Sequence, residues 1–144
     1  AGRLNEDTLV LGKLVTYVIC SKDFAEEFSK IKIDYANKET IISCYEKLKE
    51  YYNTNIIITL EEKGSFTEID GKYCHLPSVK EKSLDSTGAG DIFHGAFAYF
   101  IANSYSLKDA IYYASIAGAL SVKTIGSRYS IPRLEEVENY DDII

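Results

Sequence analysis

The stretch Asp85-Ser86-Thr87-Gly88-Ala89-Gly90-Asp91 joins a cradle for an anion to a carboxylate. Three residues without bulky side chains, Gly88, Ala89 and Gly90, precede an apolar run of helical period that starts at Ile92. A helix starting here points unpaired backbone N–H groups at whatever lies above the loop, and its dipole adds positive potential. Asp91 falls in the first turn, where a carboxylate is electrostatically favoured. An anion hole beside a carboxylate is what phosphoryl transfer to a hydroxyl requires. The plain alternative is a glycine-rich turn with an acidic dipole partner. Two other phosphate motifs are excluded: G-x-G-x-x-G needs glycine where Phe93 stands, and no Gly-Lys-Ser/Thr follows the loop.

The flanking elements must position this loop. Asn5 caps a short helix from Glu6 to Leu14, and Thr16 to Cys20 is a buried strand ending at Ser21. Asp23 to Lys30 reads as a short helix, and Asn37-Lys38-Glu39-Thr40 leads into a longer one. Asn55 to Leu60 is too continuously apolar for a two-faced edge strand. Ser65–Ile69 and Lys72–Leu76 alternate around Asp70-Gly71, the mark of a hairpin with a type I′ turn. Phe93, Phe97, Phe100 and Ile101 form the core face of the helix after the loop. Ser106-Leu107-Lys108-Asp109 caps a second helix, whose Ala110, Ala114, Ala117, Gly118 and Ala119 suit close helix packing or, as the alternative, the approach of a flat ligand such as adenine. Glu135 to Ile144 is an acidic tail expected to fray. Alternating strands and helices predict an α/β domain, with ligands beyond the carboxyl ends of the strands.

Composition narrows the function classes. The chain has 144 residues and a net charge of −6 at pH 7, which argues against a nucleic-acid surface. No apolar run approaches the ~20 residues of a membrane span. Three widely spaced cysteines, Cys20, Cys44 and Cys74, fit reduced thiols in a cytoplasm. His75 and His94 read as packing or surface residues, since Cys74 and His75 would face opposite sides of a strand.

The run from Asp85 through Ala96 resembles the second signature of the PfkB/ribokinase family of carbohydrate kinases, D-[ST]-x-G-A-G-D followed by an aromatic and a small residue. Thr59-Leu60 with Lys63-Gly64, and Gly126-Ser127-Arg128-Tyr129-Ser130-Ile131-Pro132, are similar to the family's elements beside the nucleotide. The resemblance implies a three-layer ribokinase-like α/β domain with a mainly parallel sheet. With no methionine and only the family's second half, residues 1–144 are expected to be its C-terminal nucleotide-binding portion, lacking core strands of the absent half. It further implies an ATP- and magnesium-dependent phosphotransferase acting on a sugar hydroxyl, with Asp91 as catalytic base and the amides of Gly88, Ala89 and Gly90 as anion hole. Thr59, Glu61, Gly64, Gly126 and Ser127 would bind nucleotide, and Asp85, Thr87 and Ser130 would lie near a monovalent cation such as potassium. The expected partners are nucleotide and sugar, with a homodimer through an unpaired strand edge and neither nucleic acid nor membrane. A nucleoside kinase of the same family and a non-catalytic nucleotide-binding domain are the alternatives.

Two departures stand against the pattern. The family's N-x-x-E motif reads Ser21-Lys22-Asp23-Phe24, as in ketohexokinase-like members, with Asp23 or Glu26 as possible substitutes. Glu61 stands where many members have glycine. Because the family grips its sugar mainly with the other half, this chain alone is expected to show no sugar kinase activity.

Overall fold

The structure is a computed structural model that describes residues 3–126 and 128–140. The chain forms two compact units, Ala1–His75 and Leu76–Ile144.

In the first unit, β1 (Tyr17–Ser21) and β2 (Asn55–Thr59) pair in parallel with Val18 opposite Ile56 and Cys20 opposite Ile58. β3 (Ser65–Ile69) joins β2 antiparallel, and β4 (Lys72–Leu76) follows β3, so the sheet is mixed with order β1-β2-β3-β4. The antiparallel part is the hairpin that the turn demands: Asp70 and Gly71 both take positive φ, 51° and 74°. On one face, Val18, Cys20, Ile56 and Ile58 join a core with Phe24 of α2 (Lys22–Ser29) and Leu48 of α3 (Lys38–Tyr52). Ile19 and Ile57 alternate to the other face and are buried too, which explains the unbroken isoleucine run of β2.

Burial governs the thiols. Cys20 and Cys44 are fully enclosed, and burial pushes the Cys20 thiol up to about 12. Cys74, on β4, is only half-buried.

α1 is shorter than its sequence suggests, spanning Glu6–Leu11 rather than reaching Leu14. Asn5 caps it, its side chain accepting from Thr8 N at 2.8 Å. The helix ends at Gly12, where any Cβ would collide with the Tyr52 ring. Val10, Leu11 and Leu14 stay exposed, so no buried stripe extends the helix.

The second unit is helical in its described part. α4 (Ala89–Ala102) packs against α5 (Leu107–Ser121), whose Ser106 cap accepts from Asp109 N at 3.1 Å. A Cβ on Gly118 would lie 3.5 Å from the Ala89 carbonyl oxygen and 4.0 Å from Phe93 Cβ. The small residues of α5 therefore serve close helix packing, as their types suggest. The expectation of a frayed tail fails between Leu134 and Glu138, which form α6. Arg133 N donates to Glu136 Oε2 at 2.7 Å, and Val137 is buried. Residues 141–144 lie outside the described residues. Among the described residues, no helix is long and apolar enough to cross a membrane.

Candidate functional site

The sequence-derived site residues fall into two clusters, one in each unit. The first gathers at the carboxyl ends of β1 and β2. Thr59 ends β2, and its hydroxyl donates to the Cys20 carbonyl at 3.3 Å. A 3₁₀ turn over Glu61–Lys63 follows and closes on itself, with Gly64 N to Glu61 O at 3.1 Å and Leu60 N to Gly64 O at 2.7 Å. Gly64 sits at φ 94°, ψ −133°, a conformation that only glycine adopts without strain. Glu61 sits at φ 55°, the left-handed region that glycine favours. Glu61 itself is exposed.

After β1, the positions matching the family's N-x-x-E motif are taken by the fold. Ser21 Oγ accepts from Phe24 N at 3.2 Å and caps α2. Phe24 is a core residue, 1% exposed. Glu26 is buried and does not stand free as a substitute ligand: its carboxylate accepts from Lys32 Nζ at 2.7 Å and from Ile33 N at 2.9 Å. Burial opposes its charge, but the Lys32 and Ile33 hydrogen bonds and the nearby Lys22 outweigh that and hold the carboxyl below its ordinary range. Among the described residues, no three His, Cys, Asp or Glu side chains cluster to hold a metal ion.

The second cluster is the signature loop. Gly88 caps α4 at φ 81°, ψ 0°, which turns the chain sharply into the helix. The helix begins at Ala89, three residues before its apolar run, so Asp91 lies in the first turn as the sequence predicts. Ala89 N already donates to Ser86 O at 3.2 Å, whereas the N–H groups of Gly90 and Asp91 have no acceptor among the described residues. A Cβ at Gly90 or Gly95 would meet nothing within 4 Å. Neither glycine is required by close packing within the described chain, and both leave backbone open to approach.

Asp85 fastens the base of this loop. One carboxylate oxygen accepts from Thr87 N at 2.9 Å and the other from Gly126 N at 3.0 Å. These bonds, the Gly126 one foremost, hold the Asp85 carboxyl below its ordinary value. Asp85 thus ties the signature loop to the closing loop. There Gly126, at φ 91°, accepts from Ser130 N at 3.2 Å, and Ser130 is buried. Ser127 lies outside the described residues.

Gly88 and Asp91 open onto a groove of about 600 Å³, whose walls include Gly95 and Tyr99 of α4 and Arg128 and Ile131 of the closing loop. The structure therefore brings Gly88, Asp91 and the loop after Gly126 together, while Thr59, Glu61 and Gly64 belong to the other unit. Sequence reasoning gave Arg128 no role, although its charge beside a phosphate loop was a readable signal. It read His94 as packing or surface; the residue is exposed, with Nδ1 2.6 Å from the Gly90 carbonyl oxygen.

The pfkB family carbohydrate kinase pattern matches residues 5–134. The ribokinase of Lactococcus lactis is 34% identical over 93 residues, covering 65% of this chain and 31% of that protein. Among solved structures, the ribokinase of Thermotoga maritima superposes with a TM-score of 0.78 at 31% identity, over 90% of this chain and 43% of that one. Arabidopsis thaliana ribokinase complexed with ribose and ATP gives 0.83 at 21% identity, over 97% and 47%. The chain thus spans less than half the length of these proteins. A match running from the Asn5 cap to the first residue of α6 leaves one conclusion: the chain belongs to the pfkB family of carbohydrate kinases.

Proposed function

We propose that the chain is the nucleotide-binding, C-terminal portion of an ATP-dependent kinase that phosphorylates a sugar hydroxyl. The observation that carries this reading is the pairing of Asp91 with the amides of Gly90 and Asp91 at the head of α4, which lack an acceptor among the described residues, beside an open groove. Those amides, with the Gly88 and Ala89 backbone shaping the turn, would bind the phosphoryl oxygens as negative charge develops on them. Arg128 would add a cationic, fork-shaped donor at the same groove. Asp91 would orient the acceptor hydroxyl and take its proton late in the transfer.

Thr59 and Gly64 of the first unit are assigned to nucleotide binding, and so, in the second, are Gly126 and Ser127. Glu61 is placed with Thr59 and Gly64, its carboxylate turned to solvent. Magnesium, when bound with the nucleotide, neutralises phosphate charge and keeps mostly water ligands. Ser21, Phe24 and Glu26 do not fit a role in holding it, because the fold uses them, whereas Asp23 is exposed in the first turn of α2. Asp85 we assign to clamping the two loops ahead of binding a monovalent cation with Thr87 and Ser130. The ATP complex of the Arabidopsis ribokinase supports the nucleotide, and the ribokinase relatives support a pentose as acceptor.

The test is an ADP-release assay on the chain joined to a substrate-binding half, with ribose and a panel of sugars. Asp91→Asn should lower kcat by about 10²-fold or more with nucleotide affinity little changed. Wild-type turnover by the Asn variant would remove Asp91 from the chemistry. The chain alone should release no ADP in response to sugar, since positioning of the hydroxyl is worth roughly 7–11 kcal/mol.

A further inference from the structure

We propose that His94 is a positioning residue for the phosphate cradle, holding through the Gly90 carbonyl the peptide whose other half is the Asp91 N–H. The proposal rests on the cradle assigned above. The Nδ1 to Gly90 oxygen distance is 2.6 Å. A carbonyl oxygen can only accept, so Nδ1 carries the proton, and the tautomer follows from the contact itself. Gly90 C=O and Asp91 N–H belong to one rigid planar unit. A donor fixed on the oxygen therefore fixes the direction of the N–H. It also polarises the peptide, making that N–H a stronger donor to an anion.

The placement of this bond is informative. Among the described residues, three other side chains reach a carbonyl four residues back: Asn103 to Tyr99 O at 2.8 Å, Asn139 to Glu135 O at 2.9 Å and Ser115 to Ile111 O at 2.9 Å. The two asparagines stand at helix C-caps, where such a bond closes a last turn, and Ser115 lies inside α5. His94 has no helix end to close. It sits inside α4, and its target carbonyl lies in the first turn, where a helix already supplies that oxygen with the N–H of residue 94. The added bond lands on one of the two peptides of the first turn whose N–H groups lack an acceptor among the described residues, the one that carries the Asp91 N–H. Gly90 itself contributes no side chain that could steady this peptide.

The experiment uses the chain as it stands, ¹⁵N-labelled, titrated with inorganic phosphate and with ADP, following amide resonances and calorimetric affinity. Phosphate should displace the Gly90 and Asp91 amide signals. His94→Ala and His94→Phe remove the donor, the second keeping a ring, and each should weaken binding about three- to tenfold. The Asp91 signal should lose its anion-induced displacement more than its neighbours do. His94→Asn, a side chain that makes this bond elsewhere in the molecule, should restore affinity to within about twofold. Melting curves provide the control: alanine is the better helix former, so a residue that served only helix stability would not couple to anion affinity. Wild-type affinity in either folded donorless variant would overturn the role of His94 while leaving the cradle intact. Absence of any phosphate-dependent shift at Gly90 and Asp91 in the wild type would overturn both. Should the alanine variant fail to fold, the phenylalanine and asparagine pair decides by the same criterion.

Discussion

The stretch after β1 and the loop before α4 are the two places that the sequence compares with motifs of the family, and the fold treats them in opposite ways. After β1, each aligned side chain is occupied by the structure. Ser21 caps α2, Phe24 fills the core and Glu26 binds Lys32 and the Ile33 amide. In the signature loop the important groups are left unoccupied. Asp91 is exposed, the Gly90 and Asp91 amides lack acceptors among the described residues, and no neighbour crowds Gly90. Polar groups left unused by folding are available for chemistry, whereas those engaged in caps and ion pairs are not. Asp85, whose side chain folding does use, lies at the base of the loop.

The comparison fails if the stretch after β1 is dispensable for folding. Phe24→Ala should destabilise the first unit by about 3–5 kcal/mol, read from denaturant unfolding. A loss below about 1 kcal/mol would mean that Phe24 is not a core residue. The converse applies to the cradle. Gly90→Val should leave the melting temperature within a few degrees, because its Cβ enters open space, while weakening ADP binding about tenfold or more. Unchanged affinity in a folded variant would place the phosphate elsewhere.

A smaller effect is expected at Glu61. Its left-handed φ costs roughly 1–2 kcal/mol, and glycine relieves this at about 0.5–1 kcal/mol of added unfolded-state entropy. Glu61→Gly should therefore raise stability by about 0.5–1 kcal/mol in chemical denaturation, and a decrease would show that the carboxylate has a folding role.

The mildest effect is the pH dependence at Asp85. Its folded value lies below the ordinary 3.8, so its contribution is present above pH 3.8 and is lost as pH falls through the folded value. Asp85→Asn should flatten the acid limb of a melting-temperature profile in that window. An unchanged limb would mean that the clamp to Thr87 and Gly126 does not hold in solution.

What could be read from sequence divides along the same physical line. The hairpin was legible to the residue because a type I′ turn is a local rule, and Asp70-Gly71 satisfies it alone. The start of α4 was legible, since Gly88 and the apolar period mark it and Asp91 lies in the first turn of a helix that opens at Ala89. The end of α1 was not, because it depends on Gly12 meeting Tyr52, a residue distant in the chain. α6 was missed because a short acidic segment becomes a helix only when Val137 finds cover. At the site, Asp91 and its glycines were readable from type and spacing. The clamp by Asp85 and the His94 bond were not, since each depends on where a side chain turns.

The unequal enclosure of the three thiols provides a clock. An alkylating probe reacts with a thiolate, so Cys74 should be labelled first, at a rate set by its own partial exposure. Cys20 and Cys44 lie at the interface of sheet and helices and can be reached only when α2 and α3 lift from β1 and β2. Their labelling would time the opening of the first unit under native conditions, with no denaturant and no engineered probe. Repeating the measurement with ADP present would show whether occupancy of the groove in the second unit slows that opening.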